Sequence, residues 1–307
     1  MRSVTARGLP AERLLQGPDP GVTLHHPRFT WLGPAVLASA AAVLGGSALT
    51  GFAQVRGPAE RTLRVCADPN NLPFSNRRLE GFENRLAALV ARELGERVVY
   101  TWWPQRRGFL RRTLDAGRCD VVMGVPSNLP GTLTTRPYYR STYVFVTRAG
   151  GRVDPRSFDD TVLRTLRIGV HFTGGGNPPP ATALARRGLA RNIASYSIYG
   201  DYRQAAPPAR LIEAVARGAV DVAVAWGPLA GYFAPRQHPP LRLAPVPPSD
   251  ARTGEPMTFA IAMAVRPDDP ARRDALDRIL ARLGAEIHAL LTSYGVPLVQ
   301  EPVGETR

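Results

Sequence analysis

LRVCADPNNLPFSN (residues 63–76) is followed by GFENRLAALVARELG (81–95), VVYTWWPQRRGF (98–109), LDAGRCDVVMGV (114–125) and TTRPYYRSTYVFVTR (134–148). Short apolar runs alternate with helical patterns in this stretch, the mark of parallel βα units. Leu63–Ala67 reads as a strand. Phe82, Leu86, Leu89, Val90 and Leu94 share one helical face, and Gly95 stops that helix. Val98–Trp102 reads as a strand, Arg107–Ala116 as a helix ended by Gly117, and Asp120–Gly124 as a buried strand. The extended run Thr142–Arg148 leads away from these units.

Working outward, a second set of units follows. Strands are predicted at Leu166–Val170, Ala194–Tyr199 and Val220–Ala225, and helices at Ala181–Ala190, Arg210–Arg217 and Pro228–Phe233. A proline-rich surface stretch runs on to Pro248. Thr258–Arg266 reads as a return strand, and Pro270–Tyr294 as a helical region. The expected architecture is α/β, with two lobes joined by two crossover segments. One lobe comprises 61–148 plus 260–307 and the other 149–259. Ligand sites in such sheets lie beyond the carboxyl ends of the strands, here the cleft between the lobes.

The 307 residues are 44% apolar, which places the chain among folded globular proteins. Its net charge of +14 comes from arginine alone, since there is no lysine. Such a charge attracts an acidic protein partner and speeds encounter. From Phe29 to Val55 there is no charged residue, and Arg28 stands just ahead. FTWLGPAVLASAAAVL is an export h-region with a small-residue cleavage signal near Ala53. Residues 1–53 are therefore expected to be a signal region, with a retained anchor as the alternative. A start codon assigned too early accounts for the long segment ahead of Arg28. Export also argues against nucleic acid as the partner of this basic chain.

Cys66 and Cys119 are the only cysteines. With Cys66 late on one strand and Cys119 at the start of its parallel neighbour, the sulfurs fall at opposite ends. A bridge needs Cα atoms within about 7 Å, so two buried free thiols are expected rather than a Cys66–Cys119 disulfide. The five histidines are scattered, and no metal is expected. There is no nucleophile elbow, HExxH or dinucleotide fingerprint, so neither an enzyme nor a cofactor is expected. Asp68, Glu80 and Asp201 are the candidate cleft acids, Asp68 reading rather as a loop cap. The glycines 174–176 and the prolines after them read as a loop at the cleft mouth.

The order of these segments resembles periplasmic solute-binding proteins of the polar amino-acid type. WWPQRRGF, TTRPYYRS and AWGPLAGYFA resemble the binding-protein-like components that accompany pyrroloquinoline-quinone methanol dehydrogenases. The resemblance covers about 240 residues. It implies a periplasmic accessory protein whose partner is the dehydrogenase or its cytochrome. A membrane permease is the partner only under the alternative, a transport receptor.

In the amino-acid-binding relatives, aromatic rings sandwich the ligand, an arginine holds its carboxylate and an aspartate its ammonium. The resemblance places Asn71 and Arg107 at the two aromatic positions, Asn128 at the arginine and Trp226 at the aspartate. The cleft-facing set is then Asn70, Asn71, Phe74, Trp103, Arg107, Asn128, Tyr138, His171, Thr173 and Trp226. A zwitterion needs two opposite charges, because a dehydrated charge left unpaired is costly. Tight binding of a free amino acid is not expected.

Overall fold

The computed structural model describes residues 61–172, 176–198 and 202–300. The expected signal region, Thr173, Asp201 and most of the glycine loop lie outside the described residues.

β1 (Thr62–Ala67) pairs in parallel with β2 (Arg97–Trp102) on one side and β3 (Val121–Pro126) on the other, Val65 lying beside both Tyr100 and Val121. α1 (Phe82–Leu94) lies between β1 and β2 in sequence and buries Phe82, Leu86 and Val90 completely, as its apolar face requires. Phe82 is the centre of an aromatic cluster, edge-on to Phe74 at 5.4 Å, Tyr139 at 6.1 Å and Tyr294 at 5.8 Å.

The helix expected over 107–116 is a single turn, α2 (Phe109–Arg112). Gly108 at φ 83° cannot belong to it, and Thr113 leaves helical geometry at φ −127°, ψ −81°. The following residues do not run in line with β3. The Thr101 hydroxyl on β2 donates to the Arg118 carbonyl at 2.8 Å, so the chain crosses β1 before it turns into β3. That crossing corrects the free-thiol expectation. It brings the Cys119 Cα within 5.6 Å of the Cys66 Cα, and the two form a disulfide. Cys119 therefore precedes β3 and is not the first residue of a straight strand. Closing a loop of this length contributes about 4 kcal/mol in the chain-entropy picture.

β4 (Tyr139–Arg148) serves both lobes. Its first four residues pair antiparallel with β9 (Thr258–Val265), which also pairs with β3. Its remainder pairs with β7 (Val222–Trp226) and with the edge strand β8 (Leu241–Pro245). β5 (Ile168–Phe172) lies parallel to β7 and to β6 (Ile193–Ser197). The strand order is β2-β1-β3-β9-β4-β7-β5-β6. We propose the lobe boundary where β4 changes partner, between Thr142 and Tyr143, six residues ahead of the boundary drawn from the apolar runs. β8 lies in the stretch expected to be proline-rich surface. An edge strand tolerates its terminal Pro245, because proline lacks only a donor that no neighbour needs.

In the second lobe α3 (Pro179–Ala185), α4 (Arg210–Ala216) and α5 (Gly227–Phe233) pack on the sheet, with Leu184, Leu211, Ile212 and Leu229 fully buried. The helical region from Pro270 is two helices, α6 (Pro270–Arg282) and α7 (Gly284–Ser293). The chain then runs along the junction of the lobes, bonded to the first-lobe end of β4 and packed against α5 of the second lobe. Ser141 Oγ donates to the Pro297 carbonyl at 2.6 Å and the Val299 N–H to the Arg140 carbonyl at 2.9 Å. Tyr294 stacks on Tyr232 of α5 at 5.7 Å. Gly231 is required there, since a Cβ would stand 1.8 Å from the Gly295 carbonyl oxygen.

Candidate functional site

A cavity of about 340 Å³ lies between the lobes at the strand ends. The first lobe contributes Asn71, Phe74, Glu83, Gln105 and Tyr139. The second contributes Tyr143, Ile198, Trp226 and Leu229, and Phe259 and Ile261 enter from the return strand. Three of the rings meet at steep angles: Tyr143 to Trp226 at 5.4 Å, Trp226 to Phe259 at 6.0 Å and Tyr143 to Phe259 at 6.4 Å. No arginine lines the cavity among the described residues, although the chain is rich in them.

Hydrogen bonds hold the lobes together at the cavity mouth. Tyr202 Oη donates to Asp68 Oδ2 at 3.1 Å, and Asn70 Nδ2 donates to the Gln204 carbonyl at 2.6 Å. The Ala206 N–H donates to Asn70 Oδ1 at 3.3 Å. Asp68 also caps its own loop, as its residue type suggests, by accepting from the Asn70 N–H at 2.8 Å and the Gln105 N–H at 2.7 Å. Burial pushes the Asp68 carboxyl upward from its ordinary value, and these donors oppose the shift.

Glu83 is the only acid that lines the cavity among the described residues. It sits in the first turn of α1, and its carboxyl rests on Gly124 of β3. A Cβ at position 124 would stand 2.0 Å from Glu83 Oε1, so the glycine makes room for the carboxyl. Burial, reinforced by the charge of Asp68, pushes Glu83 up to about 8. Burial and this same carboxyl hold Tyr138 and Tyr139 well above the ordinary phenol value.

The cavity brings together Asn71, Phe74 and Trp226 of the sequence-predicted residues. Asn71 is buried, donates weakly to Gln105 Oε1 at 3.4 Å, and leaves its own Oδ1 without a partner among the described residues. Asn70 stands beside the cavity as a tie between the lobes. The others are placed elsewhere. Arg107 is exposed, and Gln105 of the same loop lines the cavity instead. Asn128 lies in an exposed turn at φ 60°. Trp103 packs beside the disulfide under the guanidinium groups of Arg112 at 5.7 Å and Arg118 at 5.9 Å. Tyr138 donates to the Met123 carbonyl at 2.9 Å, and its neighbour Tyr139 faces the cavity. His171 is buried against the Pro208 carbonyl at 3.1 Å; burial pushes it down to about 4, and the hydrogen bond to that carbonyl opposes the shift.

Sequence reasoning missed Glu83, Gln105, Tyr139, Tyr143 and Phe259. Glu83 carried a signal: it interrupts the apolar face of α1 next to Phe82. Among the described residues no group of three or more His, Cys, Asp or Glu could hold a metal ion. No helix among them is long and apolar enough to cross a membrane.

The chain is 34% identical over 260 residues to Protein MoxJ of Methylorubrum extorquens, covering 80% of this chain and 85% of that one. The crystal structure of MxaJ from Methlophaga aminisulfidivorans MPT superposes with a TM-score of 0.69 at 27% identity, covering 78% of this chain and all of the other. The periplasmic binding protein XoxJ from Methylobacterium extorquens AM1 gives a TM-score of 0.64 at 34% identity, with the same coverage. Residues 63–296 match the bacterial extracellular solute-binding proteins, family 3, and the chain belongs to that family.

Proposed function

We propose that this protein is a periplasmic accessory component of a quinoprotein methanol dehydrogenase, acting in its activation, assembly or stabilisation without chemistry of its own. One observation carries the reading: the cavity between the lobes has no guanidinium among its described lining residues, and its wall includes Trp226, the residue that the resemblance sets at the position of the ammonium-binding acid. A ligand carboxylate brought there would remain unpaired. The likeness to MoxJ, MxaJ and XoxJ supports the methanol-oxidising context. The exposed Arg106, Arg107 and Arg111, beside the half-buried Trp102 and Trp103, give an acidic partner a basic face with aromatic anchors.

The test is retention of the purified dehydrogenase on immobilised mature protein. Retention at low salt and release at high salt is the expected result. Full dehydrogenase activity and stability in a strain deleted for this chain would end the proposal.

The apolar cavity between the lobes favours a second reading, a transport receptor for a small solute that is not a zwitterion. Its volume lies within the usual range for small-molecule sites. Under that reading a permease would respond to the closed form, and the dehydrogenase would not be retained.

A further inference from the structure

The cavity has walls of one chemical kind and acceptors of another. Its surface is mostly apolar and aromatic, with Tyr143, Trp226 and Phe259 forming a corner of mutually steep rings. Into this space are built two acceptor groups. The Glu83 side chain is more than nine-tenths buried, and among the described residues no hydrogen-bond donor or cation is paired with its carboxyl. Asn71 Oδ1 is buried and unpartnered on the same wall.

A buried carboxylate without a donor is costly, so the empty site holds Glu83 protonated. Its raised value of about 8 has that cause. A ligand that brought both a positive charge and N–H donors would remove the cost. Tryptophan is the best of the aromatic faces for a cation, and Trp226 occupies the cavity wall opposite the first lobe. Gly124 leaves the carboxyl its space, and three tyrosines, Tyr100, Tyr138 and Tyr139, surround it without a compensating cation.

We propose that the cavity binds an alkylammonium group, with the Glu83 carboxylate taking its charge, Asn71 accepting a further N–H, and the rings of Trp226, Tyr143 and Phe259 enclosing its carbons. One proton passes from the Glu83 carboxyl to solvent as the cation binds. A free small amine and the end of a lysine side chain present the same chemistry. The inference goes beyond the accessory role and does not require it, because the isolated protein is sufficient to show it.

The experiment is calorimetric titration of the mature protein with n-butylammonium, 1-butanol, tetramethylammonium and N-acetyl-lysine methylamide, at matched ionic strength. Butylammonium should bind at least tenfold more tightly than butanol and than tetramethylammonium, which carries no N–H. Its affinity should fall about tenfold per pH unit below about 8, as Glu83 takes up its proton. The groups that face Glu83 are Asp68 and the three tyrosines, which supply no alternative cation. A tighter complex with the lysine derivative than with butylammonium assigns the site to a polypeptide; the reverse order assigns it to a free amine.

E83Q should weaken butylammonium at least tenfold and abolish the pH dependence, with its melting temperature recorded as a folding control. W226L, which keeps an apolar wall, should weaken it several-fold. Equal binding of butanol and butylammonium, unchanged binding in E83Q, or absence of binding by both butylammonium and the lysine derivative at pH 9 overturns the proposal. None of these results bears on dehydrogenase retention, so the two readings fail separately.

Discussion

The cavity between the lobes and the rim around Trp102 and Trp103 divide the electrostatics of this protein. The cavity has a carboxyl and no arginine among its described lining residues. The rim has arginines laid over its indoles, Arg77 above Trp102 at 5.8 Å and Arg112 and Arg118 above Trp103. Net charge therefore describes the outside of the molecule and says little about the site. The rim is suited to long-range attraction, which sets encounter rate. The cavity is suited to selection at close range, where desolvation decides which charges are tolerated.

The largest expected effect tests whether the rim is a fixed platform. The disulfide lies beneath it, in the same cluster as Phe109, Leu114 and Trp103. Replacing Cys66 and Cys119 with serine should lower stability by about 4 kcal/mol in chemical denaturation. Loosening should be concentrated at the rim, as faster amide exchange over residues 109–122, with the second lobe unchanged. An equally stable variant would show that the Trp–Arg face is held by packing alone.

Next comes the acid of the cavity. Glu83 binds its proton more tightly folded than unfolded, so folding takes up a proton between the ordinary value of 4.5 and about 8. Stability should accordingly fall as pH rises through that window. In E83Q most of this fall should vanish, leaving the part from Asp68, whose shift has the same sign, and the opposing rise from His171, which the fold holds neutral down to about 4. Denaturation midpoints at pH 5 and pH 9 check this; parallel curves for both proteins would mean that the carboxyl is already solvated.

A smaller effect is expected where cavity and rim meet. Asn70→Ala removes two ties between the lobes and should cost about 1–2 kcal/mol. It should also increase the radius of gyration in solution scattering by favouring the open form. Smallest of all, Arg77→Ala should cost about 0.5–1 kcal/mol, the usual range for an exposed cation over a ring. If the rim is the docking face, the same change should weaken dehydrogenase retention at low salt more than it lowers the melting temperature.

The architecture was readable because alternation and helical spacing report burial directly. Phe82–Leu94 and Thr258–Val265 emerge from the apolar pattern almost to the residue. The site was less legible, for three physical reasons. Asn71, Phe74 and Trp226 follow a strand or its first loop, where direction is set locally, and they reach the cavity. Arg107 stands just ahead of the left-handed Gly108, and Asn128 is itself left-handed, so a shift of one residue there changes which side chain faces inward. Glu83 was passed over because an acid at a helix start ordinarily faces water. The disulfide needed a chain crossing between two strands, and no periodicity records that.

The segment from Tyr294 to Val299 bridges the lobes, hydrogen-bonded to the first-lobe end of β4 and packed against α5 of the second. The lobes thus share three straps, two of them continuous strand connections and the third a tail that can peel without breaking the chain. Two straps define an axis, and the third restricts the angle turned about it. Wide gaping then requires the tail to detach, and shortening the chain at Ser293 would convert a narrow-aperture clamp into a freely swinging one.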